Sequence, residues 1–151
     1  MPATILIVED HDAVRRSLRD WLEVEFPQCR VIEAASGEEA VALIRIESPR
    51  LVVMDITLPG MSGIEATRQI KAILPSAQIV MLTIHEDDTH RADATAAGAS
   101  AYVSKRAMQT ELLPTLAALL ANDHDGEEVR NNAFSQKSVK NDTRQFSDNS
   151  M

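Results

Sequence analysis

The sequence predicts an α/β fold: a doubly wound (βα)5 architecture, with five parallel strands alternating with five helices that cover both faces of the sheet. Three observations predict it. Five short apolar runs, Thr4–Val8, Arg30–Ala34, Leu51–Asp55, Gln78–Thr83 and Ala101–Ser104, are mostly rich in Ile and Val and read as continuous rather than alternating. Strands buried on both faces of a parallel sheet have that pattern. Segments with apolar residues at helical spacing follow each run, and right-handed crossovers fold such an alternation into an open, doubly covered sheet.

The first strand leads into a helix with Val14, Leu18, Trp21 and Leu22 on one face, Asp12 as its N-cap and Pro27 marking its end. The second strand precedes a helix from about Gly37 to Glu47, which stops before Pro49 and turns Ala40, Leu43 and Ile44 inward. The loop Leu58-Pro59-Gly60-Met61-Ser62-Gly63 joins a rigid proline to two glycines, the chemistry of a tight turn into a helix. That third helix carries Ile64, Ile70 and Leu74 and stops at Pro75. The fourth, about Thr89 to Ala97, is short, Ala-rich and weakly amphipathic, with Gly98 as its C-cap. The fifth, about Met108 to Ala121, shows Leu112, Leu113, Leu116, Leu119 and Leu120 at helical spacing, and Pro114 is tolerable only near its start. From Asn122 to Met151 the chain turns to Asn, Asp, Ser and Lys with isolated Val129, Phe134 and Phe146. So little apolar surface cannot offset ordering entropy. The expectation is one domain over residues 1–121 and a disordered tail over 122–151, with no output domain.

Composition narrows the function. Aromatic residues are 3% of the chain, so the core is aliphatic, and the formal net charge of −8 disfavours direct binding to nucleic acid or to anionic membrane surfaces. Cys29 is the one cysteine, which excludes an intrachain disulfide and a thiolate metal cluster. The N-terminus has no basic region, and no stretch approaches the roughly 20 apolar residues of a membrane span. The chain reads as cytoplasmic.

Doubly wound sheets bind ligands outside the C-terminal ends of their strands. Those positions hold Glu9 and Asp10 after the first strand, Asp55 at the third, Thr83 at the fourth and Lys105 after the fifth. Clustered carboxylates repel one another, and a hard cation with oxygen ligands relieves the repulsion. Mg2+ fits best, because it accepts one or two carboxylates, waters and a phosphoryl oxygen; the backbone carbonyl of Thr57 is within reach of it. An ionised aspartate beside such an ion can attack phosphorus to give an aspartyl phosphate, with Lys105 and the Thr83 hydroxyl left to contact the equatorial oxygens. Each residue alone has an ordinary explanation: a helix-dipole acid, a turn cap, a β-branched strand former, a solvated lysine. Their joint arrival at one sheet end does not.

The segments Ile5-Leu-Ile-Val-Glu-Asp10, Leu51-Val-Val-Met-Asp-Ile-Thr-Leu-Pro-Gly-Met-Ser-Gly63, Val80-Met-Leu-Thr83 and Ala97-Gly-Ala-Ser-Ala-Tyr-Val-Ser-Lys105 resemble the receiver domain of two-component response regulators, and are most similar to the NarL/FixJ-type subfamily. The resemblance implies a flavodoxin-like strand order of 2-1-3-4-5 and a phosphorylation switch rather than a turnover enzyme. Asp55 would be the phosphoacceptor, Asp10 would bind Mg2+ directly and Glu9 through water, and Thr83 and Lys105 would contact the phosphoryl group. Tyr102 would be the switch aromatic. The implied partners are a sensor histidine kinase or phosphotransfer protein, and a second copy or an output protein on the face built from the fourth helix, fifth strand and fifth helix. His85, two residues beyond Thr83, lies near the site and would tune how water reaches the phosphoryl group. The four histidines show no metal-ligand spacing.

Two departures stand out. The family often has Asp where Glu9 stands, and Pro commonly follows the lysine where Arg106 stands, which predicts a less fixed loop there. Two other readings compete: a receiver-like docking module that is not phosphorylated, and a haloacid-dehalogenase-like phosphohydrolase suggested by the Asp55-x-Thr57 step. That enzyme family places its nucleophile after the first strand and uses Asp, not Thr, two residues later.

Overall fold

The structure, a computed structural model, describes residues 2–132. Strands β1 (Thr4–Val8), β2 (Arg30–Ala34), β3 (Leu51–Met54), β4 (Gln78–Thr83) and β5 (Ala101–Ser104) alternate with helices α1 (Asp12–Glu25), α2 (Gly37–Glu47), α3 (Gly63–Ile73), α4 (Asp88–Ala97) and α5 (Met108–Asn132). All strand pairs are parallel, in the order β2-β1-β3-β4-β5. The order reverses direction at β1 and β3, so the gap between their C-terminal ends is where such a sheet receives a ligand.

Burial explains why the strand sequences look as they do. In β3 every residue is buried, and in β1 and β4 all but the first are. The two edge strands, β2 and β5, are only partly covered. Alternate residues divide between two faces. Leu6, Val8, Val52, Met54, Ile79 and Met81 pack with Ala40 and Ile44 of α2, Ala66 and Ile70 of α3 and Ala94 of α4. The intervening Ile5, Ile7, Val53, Val80 and Leu82 are buried on the other face, as are Leu18 and Leu22 of α1 and Leu112 and Leu116 of α5. Each such side chain contributes about 2 kcal/mol by leaving water, so an aliphatic core suffices without aromatics.

The helix ends refine the expectations. Ser36, Ser62 and Asp87 cap α2, α3 and α4 by accepting the backbone N–H three residues on. Gly98 closes α4 in the left-handed conformation, at φ 109°, as its sequence position predicts. Asp12 is not the cap of α1: His11 takes that position without a side-chain bond, and Asp12 is the first helical residue, where its carboxylate pairs with Arg15 at 2.8 Å. Val14 is exposed, so the buried stripe of α1 is Leu18 and Leu22. Helix α5 contains Pro114 and runs to Asn132 rather than ending near Ala121. Once nucleated, a helix extends at little cost per residue, and no proline follows Pro114 to stop it. The rest of the predicted tail, 133–151, lies outside the described residues. None of the described helices is long and apolar enough to cross a membrane.

Candidate functional site

Strand register builds the site. Val8 pairs with Met54 as the last rung between β1 and β3, and the Asp55 N–H donates to the Val8 carbonyl at 3.1 Å. Glu9 and Asp55 therefore leave adjacent strand ends side by side, both almost fully buried, 2% and 7% exposed. Lys105, just past β5, extends its ammonium between them: Nζ donates to Glu9 Oε1 at 3.1 Å and to Asp55 Oδ2 at 3.2 Å.

The remaining carboxylate oxygens are also held. Glu9 Oε2 accepts the His11 N–H at 3.1 Å and lies 3.1 Å from the His11 ring Nδ1. Asp55 Oδ1 accepts the Thr57 N–H at 3.1 Å. Asp10 keeps a partly exposed carboxylate at the rim, 3.6 Å from the same His11 nitrogen. Behind the pocket, Arg15 donates to the Glu9 carbonyl at 2.9 Å and to Glu33 Oε1 at 2.8 Å, which ties α1 to β1 and β2.

These contacts set opposite electrostatics for the two buried acids. Burial and the neighbouring Glu9 charge push the Asp55 carboxyl above its ordinary value, against the pull of Lys105 and the Thr57 amide. Burial also pushes Glu9 up, but the His11 amide and Lys105 outweigh it and hold Glu9 below its ordinary value. Burial works against the Lys105 charge, yet Asp55 and Glu9 prevail and raise its pKa. Of the two acids, Asp55 is the less satisfied anion.

Thr83 and Tyr102 sit elsewhere. Thr83, fully buried, accepts the His85 N–H on its hydroxyl at 3.1 Å, and the Tyr102 hydroxyl donates to the His85 carbonyl at 2.8 Å. Both hydroxyls are thus engaged by the backbone of one residue of the β4–α4 loop, through the two peptide units that flank its Cα. The Tyr102 ring is half-buried beneath the Arg91 guanidinium, 4.5 Å from its centroid. The His85 ring reaches back across the loop, its Nε2 hydrogen-bonded to the Thr57 hydroxyl at 2.7 Å. Of the residues the sequence singles out, Glu9, Asp55 and Lys105 meet directly; Thr57 meets Asp55 through its N–H rather than the carbonyl the sequence points to, and Thr83 and Tyr102 meet at His85.

Two features come from packing rather than from any residue pattern. A Cβ built at Gly63 would collide with the carbonyl of Asp55, while the Gly63 N–H donates to the Ile56 carbonyl at 2.8 Å. The glycine lets α3 start directly against the residue that the site depends on. The lysine loop, expected to be less fixed without a proline, is instead a 3-10 turn over Lys105–Ala107. The Arg106 N–H donates to the Ser104 hydroxyl at 3.1 Å, and Ser104 in turn donates to Glu86 Oε2 at 2.8 Å. A proline at 106 has no N–H and could not make the first of these bonds.

The donor set suits a hard cation. Two buried carboxylates face one ammonium, and the part-exposed Asp10 follows Glu9 in the chain. Oxygen donors with excess negative charge select Mg2+ over softer metals.

Comparisons with known proteins identify the family. Residues 5–117 match the family of response regulator receiver domains. The response regulator UvrY of Escherichia coli (strain K12) is 36% identical over 116 residues, covering 76% of this chain and 53% of that protein. The transcriptional activator protein ExaE of Pseudomonas putida is 37% identical over 117 residues, 78% of this chain and 55% of that protein. The chain thus spans about half the length of the curated relatives it matches. Among solved structures, a LuxR-family two-component response regulator from Aurantimonas sp. SI85-9A1 superposes with a TM-score of 0.75 at 41% identity, covering 81% of this chain and 87% of that one. A CheY-like receiver domain protein from Methanospirillum hungatei JF-1 gives 0.77 at 29% identity, covering 83% and 99%. Strand order, site and relatives converge: the chain belongs to the response regulator receiver domain family of two-component signalling, in its NarL/FixJ-type branch.

Proposed function

We propose that this receiver is a phosphorylation switch in which Asp55 accepts a phosphoryl group from a histidine kinase or phosphotransfer protein in the cytoplasm. The observation that supports it most is Lys105 Nζ lying within 3.2 Å of both buried acids, beside the least satisfied carboxylate. Asp55 Oδ1 is fixed by the Thr57 amide, which aims the carboxylate. In the transfer, an Asp55 oxygen forms the new bond to phosphorus as the phosphorus–nitrogen bond of the donor phosphohistidine breaks, and the electron pair leaves with the imidazole. Asp10, Asp55 and the Thr57 carbonyl, with Glu9 beside them, would hold Mg2+, which would neutralise charge on the phosphoryl oxygens. Lys105 then exchanges its contact with Asp55 for a phosphoryl oxygen.

Thr83 and Tyr102 carry the response. A phosphoryl oxygen competes with the His85 N–H for the Thr83 side chain; once Thr83 turns to the phosphoryl group, the His85 N–H loses its resting partner, and the loop backbone whose next carbonyl holds the Tyr102 hydroxyl is freed to move. The face of α4, β5 and α5 changes shape and exchanges partners, either a second copy or an output protein. The Thr57–His85 bridge lies beside Asp55 and tunes the approach of water, and so the lifetime of the phosphoryl group.

Incubation with acetyl phosphate and Mg2+ is expected to add one phosphoryl mass, mapped to the peptide containing Asp55. Equal labelling of folded Asp55→Asn would refute the assignment. A chain that stays unlabelled and shows no response to beryllofluoride with Mg2+ would instead be a docking module.

A further inference from the structure

We infer that the β4–α4 loop carries a second, separate cation site, formed by His85, Asp87 and His90, for a borderline transition-metal ion such as Zn2+ or Ni2+. One donor atom from each of the three side chains lies within 4.8 Å of the other two. The sequence pattern hides this, because the spacing is i, i+2, i+5 across a helix start rather than a helical or zinc-finger repeat.

The rings bring the donors close, and both must turn out of their stack to aim in-plane lone pairs at one ion, with His85 Nε2 engaged by Thr57 at rest. His85 and His90 stack with centroids 4.1 Å apart and planes 9° from parallel. Asp87 does two things. It caps α4 through the His90 N–H at 2.9 Å, and its two oxygens lie 2.7 and 2.8 Å from His90 Nδ1. As a ligand, Asp87 would turn one of these oxygens from His90 Nδ1 to the ion. Tetrahedral coordination with bonds of about 2.0–2.1 Å needs donors about 3.4 Å apart. Part-exposed side chains at the head of α4 can close from 4.8 Å to that span by rotating about their own bonds.

The two cation sites differ in chemistry. The pocket of Glu9, Asp10 and Asp55 offers oxygens and suits Mg2+; the loop site offers two imidazoles and one carboxylate, which favour Zn2+, Ni2+ or Cu2+. Binding does not depend on the phosphorylation reading. Its consequence does: the His85 backbone holds both Thr83 and Tyr102, so an ion fixing the His85 ring would pin the resting loop.

The test is titration of the tag-free chain with Zn2+ by calorimetry, in saturating Mg2+ and without any phosphodonor. One ion per chain is expected, with affinity falling about tenfold or more in His85→Ala and in His90→Ala, and unchanged in His11→Ala. Paramagnetic broadening by Ni2+ in the unsubstituted protein provides a readout independent of variant folding, and amides around residues 85–90 should broaden first. Saturable binding unaffected by His90→Ala, broadening centred on Glu9–Asp12 or near His124, or no binding in the unsubstituted chain would each overturn the proposal.

Discussion

Glu9 and Thr83 occupy equivalent places, at or just past the C-terminal end of a buried strand, and both are out of contact with water, yet they serve opposite halves of the site. The half around Glu9 and Asp55 is assembled: charge-assisted bonds from Lys105 and amides from His11 and Thr57 already occupy the carboxylates. In the half around Thr83 and Tyr102, both hydroxyls are bonded to the backbone of His85, one to its N–H and one to its carbonyl. Neutral hydrogen bonds of that kind contribute about 1 kcal/mol each, roughly half of what charge-assisted ones do. The charged half is therefore costly to disturb and the hydroxyl half cheap. Under the proposed switch, the larger rearrangement falls on the cheap half.

Substitutions should rank accordingly. Gly63→Ala attacks the assembled half through its backbone: the new methyl must displace the Asp55 carbonyl, and urea denaturation should show a loss of about 3 kcal/mol or more. Lys105→Met leaves two buried acids facing each other without a cation. Because the ammonium is partly exposed, the loss should fall below the full cost of an uncompensated buried pair, about 2 kcal/mol at neutral pH. Combining it with Asp55→Asn should recover much of that loss, which a double-mutant cycle measures.

Asp55→Asn alone should stabilise, by about 1 kcal/mol at neutral pH, since the folded state penalises the Asp55 charge. The sign follows from the raised pKa. The penalty is fully present above the folded-state pKa and disappears as pH falls through the ordinary carboxylate range, so the advantage of Asn should vanish in acid. Glu9 behaves in the opposite way: its stabilisation is present above its ordinary pKa and is lost as pH falls through the depressed folded-state value. The asparagine variant, keeping only the Glu9 contribution, should lose stability in acid more steeply than the parent. Denaturant melts at stepped pH measure both curves. The smallest effect is expected from Tyr102→Phe, which removes one neutral bond to the His85 carbonyl: about 1 kcal/mol or less, with faster amide exchange confined to the β4–α4 loop. A loss as large as that for Lys105→Met would abolish the distinction between the two halves.

How legible each half was in the sequence differs for a physical reason. Strand positions were readable because β1, β3 and β4 bury both faces and so carry unbroken apolar runs, and strand ends bring Glu9, Asp55 and Lys105 together by topology alone. Side-chain direction within a loop has no such rule. Thr83 and Tyr102 could be picked out as residues, but not their shared attachment to His85, because that depends on loop backbone geometry. Asp12 shows the same limit on a smaller scale: as an acid before an apolar stripe it satisfies the rule for a cap, yet the helix begins one residue earlier. Gly63 was visible as a turn residue, whereas its contact with Asp55 is a matter of two backbones approaching each other.

The Arg106 amide offers a practical consequence. Its proton sits in a hydrogen bond one residue from Lys105, at a place where a proline would contribute none. Among the resonances of a nitrogen-15 arginine label, that amide would report on the residue after Lys105, and a shift on adding a phosphodonor would show whether the lysine turn responds.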